Sequence, residues 1–293
     1  MASWSMPMSN KLAVENAGKM VSIRPDIRSY SRISYLREIY GDIPGAIDAM
    51  KLAVDAGSPG TESTEWARVQ LGKLYEQLGE IKYAEMHYTI ALQNRPDYPY
   101  ALAGLARIAG ASKDYEKAIS LYRRADSLSN DYSFREAQVE AYQLAGDKQN
   151  SLLVANGIID EMEKASNRMA KGDSSGHYAD REMAYAYLAV GNYDKALEHA
   201  LLEYNRRPNN IDANETVAWV YYKKGDYAKA ASYIKTSIQT NCKNPTILCH
   251  AGLIYAKAGD NNSARNYLQQ ALMNNPNVSP ELRMETEKTM QSL

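Results

Sequence analysis

The amino-acid sequence predicts an all-α protein, an α-solenoid in which antiparallel helix pairs stack on one another. Three observations lead to this prediction. Apolar residues recur at helical spacing, short turns join the helical segments in pairs, and the pair recurs with a period of about 34 residues. One pair cannot bury its apolar faces alone, so the copies must stack into a continuous core.

The segment Ile211–Asn244 shows the repeating unit most completely. Its first helix, helix A, carries a stripe at i, i+3, i+4 and i+7, and Gly225 ends it because glycine accepts a left-handed backbone. In the second helix, helix B, Ala230 is small enough for the two backbones to approach closely. The stripe residues are Asn214, Val217, Ala218 and Tyr221 in helix A, and Tyr227, Ala230, Ile234 and Ser237 in helix B.

Further copies are found from the turn between the two helices. A glycine at the turn precedes a small residue by five positions, and a seventh copy has Lys113 in place of the glycine. The steps between successive turns are 38, 34, 33, 45, 34 and 34 residues. The glycines and small residues are Gly41 and Ala46, Gly79 and Ala84, Gly146 and Ser151, Gly191 and Ala196, Gly225 and Ala230, and Gly259 and Ala264.

Two copies follow most of the pattern W-x2-L-G-x2-Y…A-x3-F…P. They read Arg68-x2-Leu71-Gly72-x2-Tyr75…Ala84-x3-Tyr88…Pro96 and Leu248-x2-Ala251-Gly252-x2-Tyr255…Ala264-x3-Leu268…Pro276. From about Ser9 to Val278 the chain therefore resembles the tetratricopeptide repeat (TPR) family. The resemblance implies a right-handed TPR superhelix whose concave surface is lined by helices A.

Three stretches also resemble bacterial multi-repeat TPR proteins that have no established biochemical role. They are Ile27–Ala56, Trp66–Leu74 and Tyr98–Ile108. Those proteins have further repeats upstream of the matching region. In this chain, residues 1–25 comprise an N-terminal lead and the pattern of a helix B that has no helix A before it. We therefore expect the chain to be the C-terminal part of a longer bacterial protein.

The repeat spacing predicts how the rest of the chain is organised. An N-terminal block of about four repeats spans 26–164 and ends in an extended helix B. The step of 45 residues and a Gly- and Ser-rich stretch predict a linker or elbow at 165–176. A C-terminal block of three repeats spans 177–278, and a polar helix at 279–293 is expected to cap the end of the solenoid.

Composition limits the function classes. Lys and Arg number 34 against 35 Asp and Glu, so no basic field favours nucleic acid as a partner. No apolar run is long enough to span a membrane, and we expect a soluble protein of the cytoplasm or the periplasm. Cys242 and Cys249 fit neither a disulfide framework nor a metal-ligand spacing, so no metal or cofactor is expected.

One short motif formally resembles a catalytic element. Gly172–Gly176 matches G-x-S-x-G with Ser174 at its centre and His177 beside it. That motif works at a strand-to-helix turn, whereas helical patterns flank it here, so we interpret it as a helix-breaking linker. The histidines His87, His199 and His250 lie in separate repeats without metal-binding spacing. We expect no enzyme activity and keep hydrolysis at Ser174 only as a third hypothesis.

Side chains on helix A outside the packing stripe form the predicted binding surface, which is aromatic and carries both positive and negative charges. Tyr and Trp often anchor interfaces because they bury a large area at a small entropic cost. For each aromatic residue, packing between neighbouring helices A is the alternative role. The predicted partner-binding residues are Tyr178, Arg181, Tyr185, Trp219, Tyr222 and Lys223, together with Trp66, Tyr100 and Arg107.

The sequence thus predicts a non-enzymatic scaffold that binds a protein or peptide segment on a concave aromatic surface. The alternative is an architectural spacer or a self-association module within a longer bacterial protein. A repeat scaffold indicates a way of binding and does not specify the partner.

Overall fold

The computed structural model describes residues 8–129, 131–170, 179–274 and 278–293. Within these ranges the backbone forms helices and no β-strand, which confirms the all-α fold class. None of the described helices combines the length and the apolarity needed to cross a lipid bilayer. The helices are α1 (Met8–Ile23), α2 (Ile27–Ile39), α3 (Ile43–Asp55), α4 (Glu62–Gln77), α5 (Ile81–Asn94), α6 (Pro99–Ala111), α7 (Tyr115–Leu128), α8 (Tyr132–Leu144), α9 (Lys148–Ala170), α10 (Asp180–Ala189), α11 (Tyr193–Arg206), α12 (Ile211–Lys224), α13 (Tyr227–Ser237), α14 (Pro245–Lys257), α15 (Asn261–Asn274) and α16 (Pro280–Ser292).

The helices form a stack because each one packs chiefly against its neighbours in the chain. Seven consecutive hairpins run from α2–α3 to α14–α15, with α1 against α2 and α16 against α14 and α15. Helix A of one hairpin also contacts helix A of the next, as α10 does with α12 and α12 with α14. This arrangement confirms the predicted solenoid of stacked helix pairs.

The turns between helices A and B share one geometry. Gly225 follows α12 with a φ angle of 82°, and the Asp226 side chain then caps α13 by accepting the backbone N–H of Lys229. Lys113 adopts a φ angle of 64° at the equivalent place, which confirms the copy predicted with lysine at the glycine position. Asp114 caps the following helix as Asp226 does.

The glycine inside the repeat motif lets neighbouring helices approach closely. Tyr88 of α5 is fully buried, and a Cβ atom at Gly72 of α4 would lie 2.5 Å from its ring. A Cβ atom at Gly104 of α6 would lie 2.6 Å from the same ring. Tyr88 is therefore held between the backbones of two helices A, and each of these helices has a glycine, without a side chain, where it contacts the ring. In the last hairpin, a Cβ atom at Gly252 would similarly overlap the side chain of Leu268.

Helix α9 lies where the sequence predicts a division into two blocks. It has 23 residues and continues to Ala170, so residues 165–170 of the proposed linker are helical, while residues 171–178 lie outside the described residues. α10 packs against both α8 and α9, and Ile158 and Met162 of α9 share a hydrophobic cluster with Met183 of α10. A common core therefore joins the helices on either side of the proposed linker. The division into blocks stays a prediction.

The solenoid also contacts itself across a long sequence separation. Gly41, in the turn between α2 and α3, lies against the loop between α13 and α14. A Cβ atom at Gly41 would lie 2.5 Å from the Asn241 carbonyl oxygen and 3.2 Å from Lys243 Cγ. The stack is therefore curved enough to bring its first and sixth hairpins together.

Replacing Gly104 by alanine is expected to lower the free energy of unfolding by about 1–3 kcal/mol, because the added methyl group would overlap the Tyr88 ring. Gly110→Ala is the matched control in the same helix, since its Cβ atom would lie an ordinary 3.9 Å from Ala118 Cβ. That control is expected to be neutral or to stabilise by up to about 1 kcal/mol. Urea denaturation followed by circular dichroism measures both, and a Gly104→Ala variant as stable as the unmodified chain would contradict the close packing.

Candidate functional site

A cavity of about 630 Å³ lies against helices A of the last four hairpins. Helices α8, α10, α12 and α14 border it, and the first turns of α16 close one side. We call it the inner cavity. Its lining includes four glutamates, two basic residues, two tyrosines and one tryptophan, which are Glu136, Glu140, Glu281 and Glu285, Arg181 and Lys223, Tyr185 and Tyr193, and Trp219.

Trp219 forms the centre of an aromatic wall. Its ring stacks on those of Tyr222 and His250, with ring centroids 4.8 Å and 3.6 Å away and interplanar angles of 7° and 11°. Lys223 Nζ lies 4.5 Å from the centroid of the Trp219 ring, within the range of a cation–π interaction. Since Trp219 is only 7% exposed, its contacts hold the ring in one orientation.

A buried carboxylate joins three consecutive helices A. Glu215 of α12 accepts a hydrogen bond of 2.8 Å from the Tyr185 hydroxyl of α10 and lies 2.5 Å from Nδ1 of His250 on α14. Arg181 Nη2 is 4.0 Å from the same carboxylate. Burial pushes the pKa of Glu215 upward, but His250 and Arg181 outweigh burial and hold that pKa below its ordinary value. The ionised Glu215 side chain therefore fixes the spacing of α10, α12 and α14.

Glu136 and Glu140 of α8 form what we call the acidic wall of the inner cavity. Glu136 Oε1 is buried and has no hydrogen-bond partner among the described residues. Burial raises the pKa of Glu136 to about 8, the Glu182 carboxylate acts in the same direction, and Arg181 acts against it. Burial also raises the pKa of Glu140, against a hydrogen bond with the Ser279 hydroxyl. The Glu136 carboxyl is therefore largely protonated at pH 7.

Helix α16 forms one wall of the inner cavity from the C-terminal end of the chain. Its Glu285 accepts a hydrogen bond of 2.8 Å from the Tyr222 hydroxyl and lies 3.6 Å from Lys223 Nζ. Its Leu282 is buried in the same hydrophobic cluster as Leu253 of α14. The helix predicted as a cap at 279–293 thus contacts α12 as well as the last hairpin.

Four predicted binding residues line the inner cavity: Arg181, Tyr185, Trp219 and Lys223. Tyr222 lies outside the lining, where it stacks on Trp219 and donates its hydroxyl to α16. Tyr178 lies outside the described residues. For Trp219, packing and cavity lining occur together, since the ring is buried and still borders the cavity.

The three predicted residues of the N-terminal half do not line the inner cavity. Arg107 donates hydrogen bonds of 3.0 Å and 2.9 Å to the buried carboxylate of Glu76. Tyr100 packs against Phe134 with ring centroids 5.5 Å apart, and Trp66 is 40% exposed on α4. The structure therefore does not bring the predicted residues together into one site.

The sequence places Glu136 and Glu140 on the inner-facing surface of the helices A, but the predicted partner-binding residues include none of four groups that line the cavity: Glu136, Glu140, His250 and Glu285. The glutamates stand at i and i+4 on helix A of the fourth hairpin, and this spacing was the available signal for a shared face. From the sequence, His250 is interpreted as a core or solvent-exposed residue. Its stacking on Trp219 cannot be predicted from the sequence, because it depends on how α14 packs against α12. Glu285 lies on α16, after the last repeat, where the repeat pattern cannot predict which side chains face the cavity.

Of the residues considered for catalysis, the structure describes the histidines of the repeats, which make packing and hydrogen-bond contacts. Ser174 and His177 lie outside the described residues. His199 lies 2.7 Å from the Asp180 carboxylate, and His87 stacks on Tyr75. In the part of the chain that the structure describes, no group of three or more His, Cys, Asp and Glu side chains is arranged to hold a metal ion.

Models of a known protein family match most of the hairpins in this chain. Two models described as tetratricopeptide repeat match this chain, one at residues 69–133 and 181–241 and the other at residues 245–278. Together they cover more than half of the chain. The matched ranges include the inner-cavity residues of α10, α12 and α14.

Individual relatives are distant. The uncharacterized protein ycf37 of Pyropia yezoensis is 41% identical over 59 residues, which are 20% of this chain and 33% of that protein. The human IFIT1 dimer with PPP-AAAA shares the fold with a TM-score of 0.53 and 15% identity, covering 96% of this chain and 66% of that one. A tetratricopeptide repeat protein from Parabacteroides merdae has a TM-score of 0.49 and 16% identity, over 97% of this chain and 100% of that one.

Replacing Glu215 by glutamine is expected to lower the free energy of unfolding by about 3–5 kcal/mol, because it removes a buried carboxylate shared by three partners. Glu198→Gln is the control, since Glu198 is exposed and pairs with the nearby Lys195 on the same helix; its cost is expected to stay below about 1 kcal/mol. Chemical denaturation at pH 7 measures both variants. Equal losses would mean that Glu215 does not fix the spacing of its helices.

Proposed function

Because the chain belongs to the tetratricopeptide repeat family, whose members bind proteins or peptides, we propose that its inner cavity binds a segment of another protein. The observation that carries the proposal is a cavity of about 630 Å³ lined by fixed aromatic rings and by side chains of both charges. TPR repeats are generally non-enzymatic scaffolds, and the proposed role is binding without chemistry.

The size of the inner cavity suits a few side chains of a guest segment. Binding pockets in proteins typically measure about 300–1,000 Å³, and this one falls inside that range. A folded domain would not enter such a space, whereas an extended or helical segment can insert two or three side chains. The size therefore supports a short linear segment as the guest.

The aromatic rings that line the inner cavity, Tyr185 and Trp219, are held in place before a guest binds. Tyr185 is held by its hydrogen bond to Glu215, and Trp219 by stacking on His250. Binding a segment against rings that are already fixed costs little additional conformational entropy. Aromatic residues in such positions often contribute most of the binding free energy.

The charges of the lining also support a polypeptide guest. The acidic wall on α8 and the basic residues Arg181 and Lys223 give the inner cavity both signs of charge. A ligand of a single sign would meet repulsion from one group, whereas a peptide can present side chains of either sign. The architectural or self-association role stays a prediction.

Filling the inner cavity should abolish binding while the repeat fold is retained. Peptides selected from a displayed random library on the unmodified chain are expected to bind Ala189→Trp at least about tenfold more weakly, because Ala189 lines the cavity and the indole would occupy it. Ala228→Trp is the matched control, since Ala228 is exposed on α13, outside the lining. Fluorescence polarisation with the selected peptides measures the affinities.

Circular dichroism melting checks that both tryptophan variants fold. Should Ala189→Trp melt well below the unmodified chain, Ser133→Trp takes its place, because Ser133 is exposed and lines the same cavity. Selected peptides that bind the cavity variant and the control equally well would place binding elsewhere and reject the proposal.

A further inference from the structure

Building on the proposed function, we propose that the inner cavity selects a polypeptide segment that carries a Lys or Arg side chain, with the cationic group bound by Glu136 and Glu140. The proposal specifies which chemistry the guest presents to the acidic wall. It rests on the placement of the two glutamates, on an unsatisfied carboxyl oxygen and on the engagement of the chain's own cations.

The two glutamates are placed to act on one group. They stand at i and i+4 on α8, so their side chains lie one above the other on the same face of the helix, and both line the cavity. When both are ionised, two carboxylates at this spacing repel each other. A guest ammonium or guanidinium group between them would remove that repulsion.

The Glu136 carboxyl has unused hydrogen-bonding capacity. Its Oε1 atom is buried and has no hydrogen-bond partner among the described residues. Buried polar atoms in folded proteins are nearly always paired, and an unpaired one is costly. A lysine ammonium offers three N–H donors and an arginine guanidinium offers five, so either would satisfy this atom.

The cations near the acidic wall are already engaged by other groups. Arg181 donates a hydrogen bond of 3.3 Å to Thr216 and faces Glu215, while Lys223 pairs with Glu285 of α16. Arg135, the neighbour of Glu136 in sequence, pairs with carboxylates on α7 and α9. Arg181 acts on Glu136 through space, but among the described residues no salt bridge joins Glu136 or Glu140 to a cation of the chain.

The surroundings of Glu136 couple cation binding to proton release. Glu182 of α10 and Asp131 at the start of α8 raise the pKa of Glu136, Arg181 of α10 lowers it, and burial dominates. Glu281 of α16 raises the pKa of the neighbouring Glu140. A bound cation favours the ionised carboxylate, so binding should release a proton to solvent and should strengthen as pH rises through about 8.

Selection from a displayed random-peptide library at pH 8.5 tests the proposal. The unmodified chain is expected to enrich Lys or Arg at one position of the selected peptides. The double variant Glu136→Gln/Glu140→Gln is expected to lose this enrichment and to bind the selected peptides at least about tenfold more weakly. Glutamine resembles the protonated carboxyl in shape, so the double variant retains the packing of α8.

The control for the double variant is Glu80→Gln/Glu116→Gln, which removes the same charge at two exposed positions outside the cavity lining. It is expected to enrich Lys or Arg as the unmodified chain does. Equal loss of enrichment in both double variants would mean that the overall charge, and not the acidic wall, attracts basic peptides. That result would overturn the proposal.

The pH dependence gives a second measurement with the same peptides. Affinity for the unmodified chain is expected to rise roughly 10- to 100-fold between pH 6 and pH 9, because Glu136 must lose its proton while a guest lysine, with a pKa of about 10.4, stays charged. The Glu136→Gln variant is expected to show a much flatter profile. An identical profile in both would reject the role of Glu136.

The outcomes separate this proposal from the proposed function. Peptides that are blocked by Ala189→Trp but show no basic preference would reject the cation and retain the cavity as a binding site. Peptides that bind the Ala189→Trp variant as tightly as the unmodified chain would reject both proposals. The absence of any enriched peptide would also count against both.

Discussion

The structure depends on how closely helix A and helix B of a hairpin approach each other. Where the repeat motif has a glycine, a large helix B side chain lies against bare backbone, as Tyr88 does on Gly72 and Leu268 on Gly252. Protein interiors are packed about as densely as organic crystals, so this contact sets the distance between the two helices. Repeated along the stack, that distance determines where the helices A lie, and the inner cavity is bounded by four of them.

Buried polar groups then fix neighbouring helices A relative to one another. Glu76 of α4 binds Arg107 of α6, and Glu215 of α12 is shared by Tyr185 of α10 and His250 of α14. Buried charged groups of this kind add little net stability, yet they are costly to leave unpaired, which favours one arrangement over others. Apolar contacts alone would permit small sliding movements between hairpins. The polar contacts restrict such movements, and the inner cavity is consequently formed in advance.

Local periodicity was sufficient to predict the hairpins, including the turn at Lys113, because helix stripes and left-handed turns are determined by residues close in sequence. It also placed Trp219 on the face that borders the inner cavity, since helical spacing determines which side chains share a face. It could not predict the contact of Gly41 with Asn241 or that of Glu285 with α12. The first contact depends on curvature summed over six hairpins, and the second depends on how α16 packs across the end of the stack, so neither can be read from the sequence of a single repeat.

Helix α16 gives the two charged sides of the inner cavity different roles. Leu282 is buried against the last hairpin while Met284 is 60% exposed, so α16 packs through one face and presents Glu285 to the basic side. A guest carboxylate that approached Lys223 would have to compete with Glu285, which is already there. A guest cation that approached Glu136 would meet only the more distant field of Arg181, whose hydrogen bond and ion pair are made with Thr216 and Glu215. The charge that we propose for the guest therefore follows from the contacts that the chain makes with its own C-terminal helix.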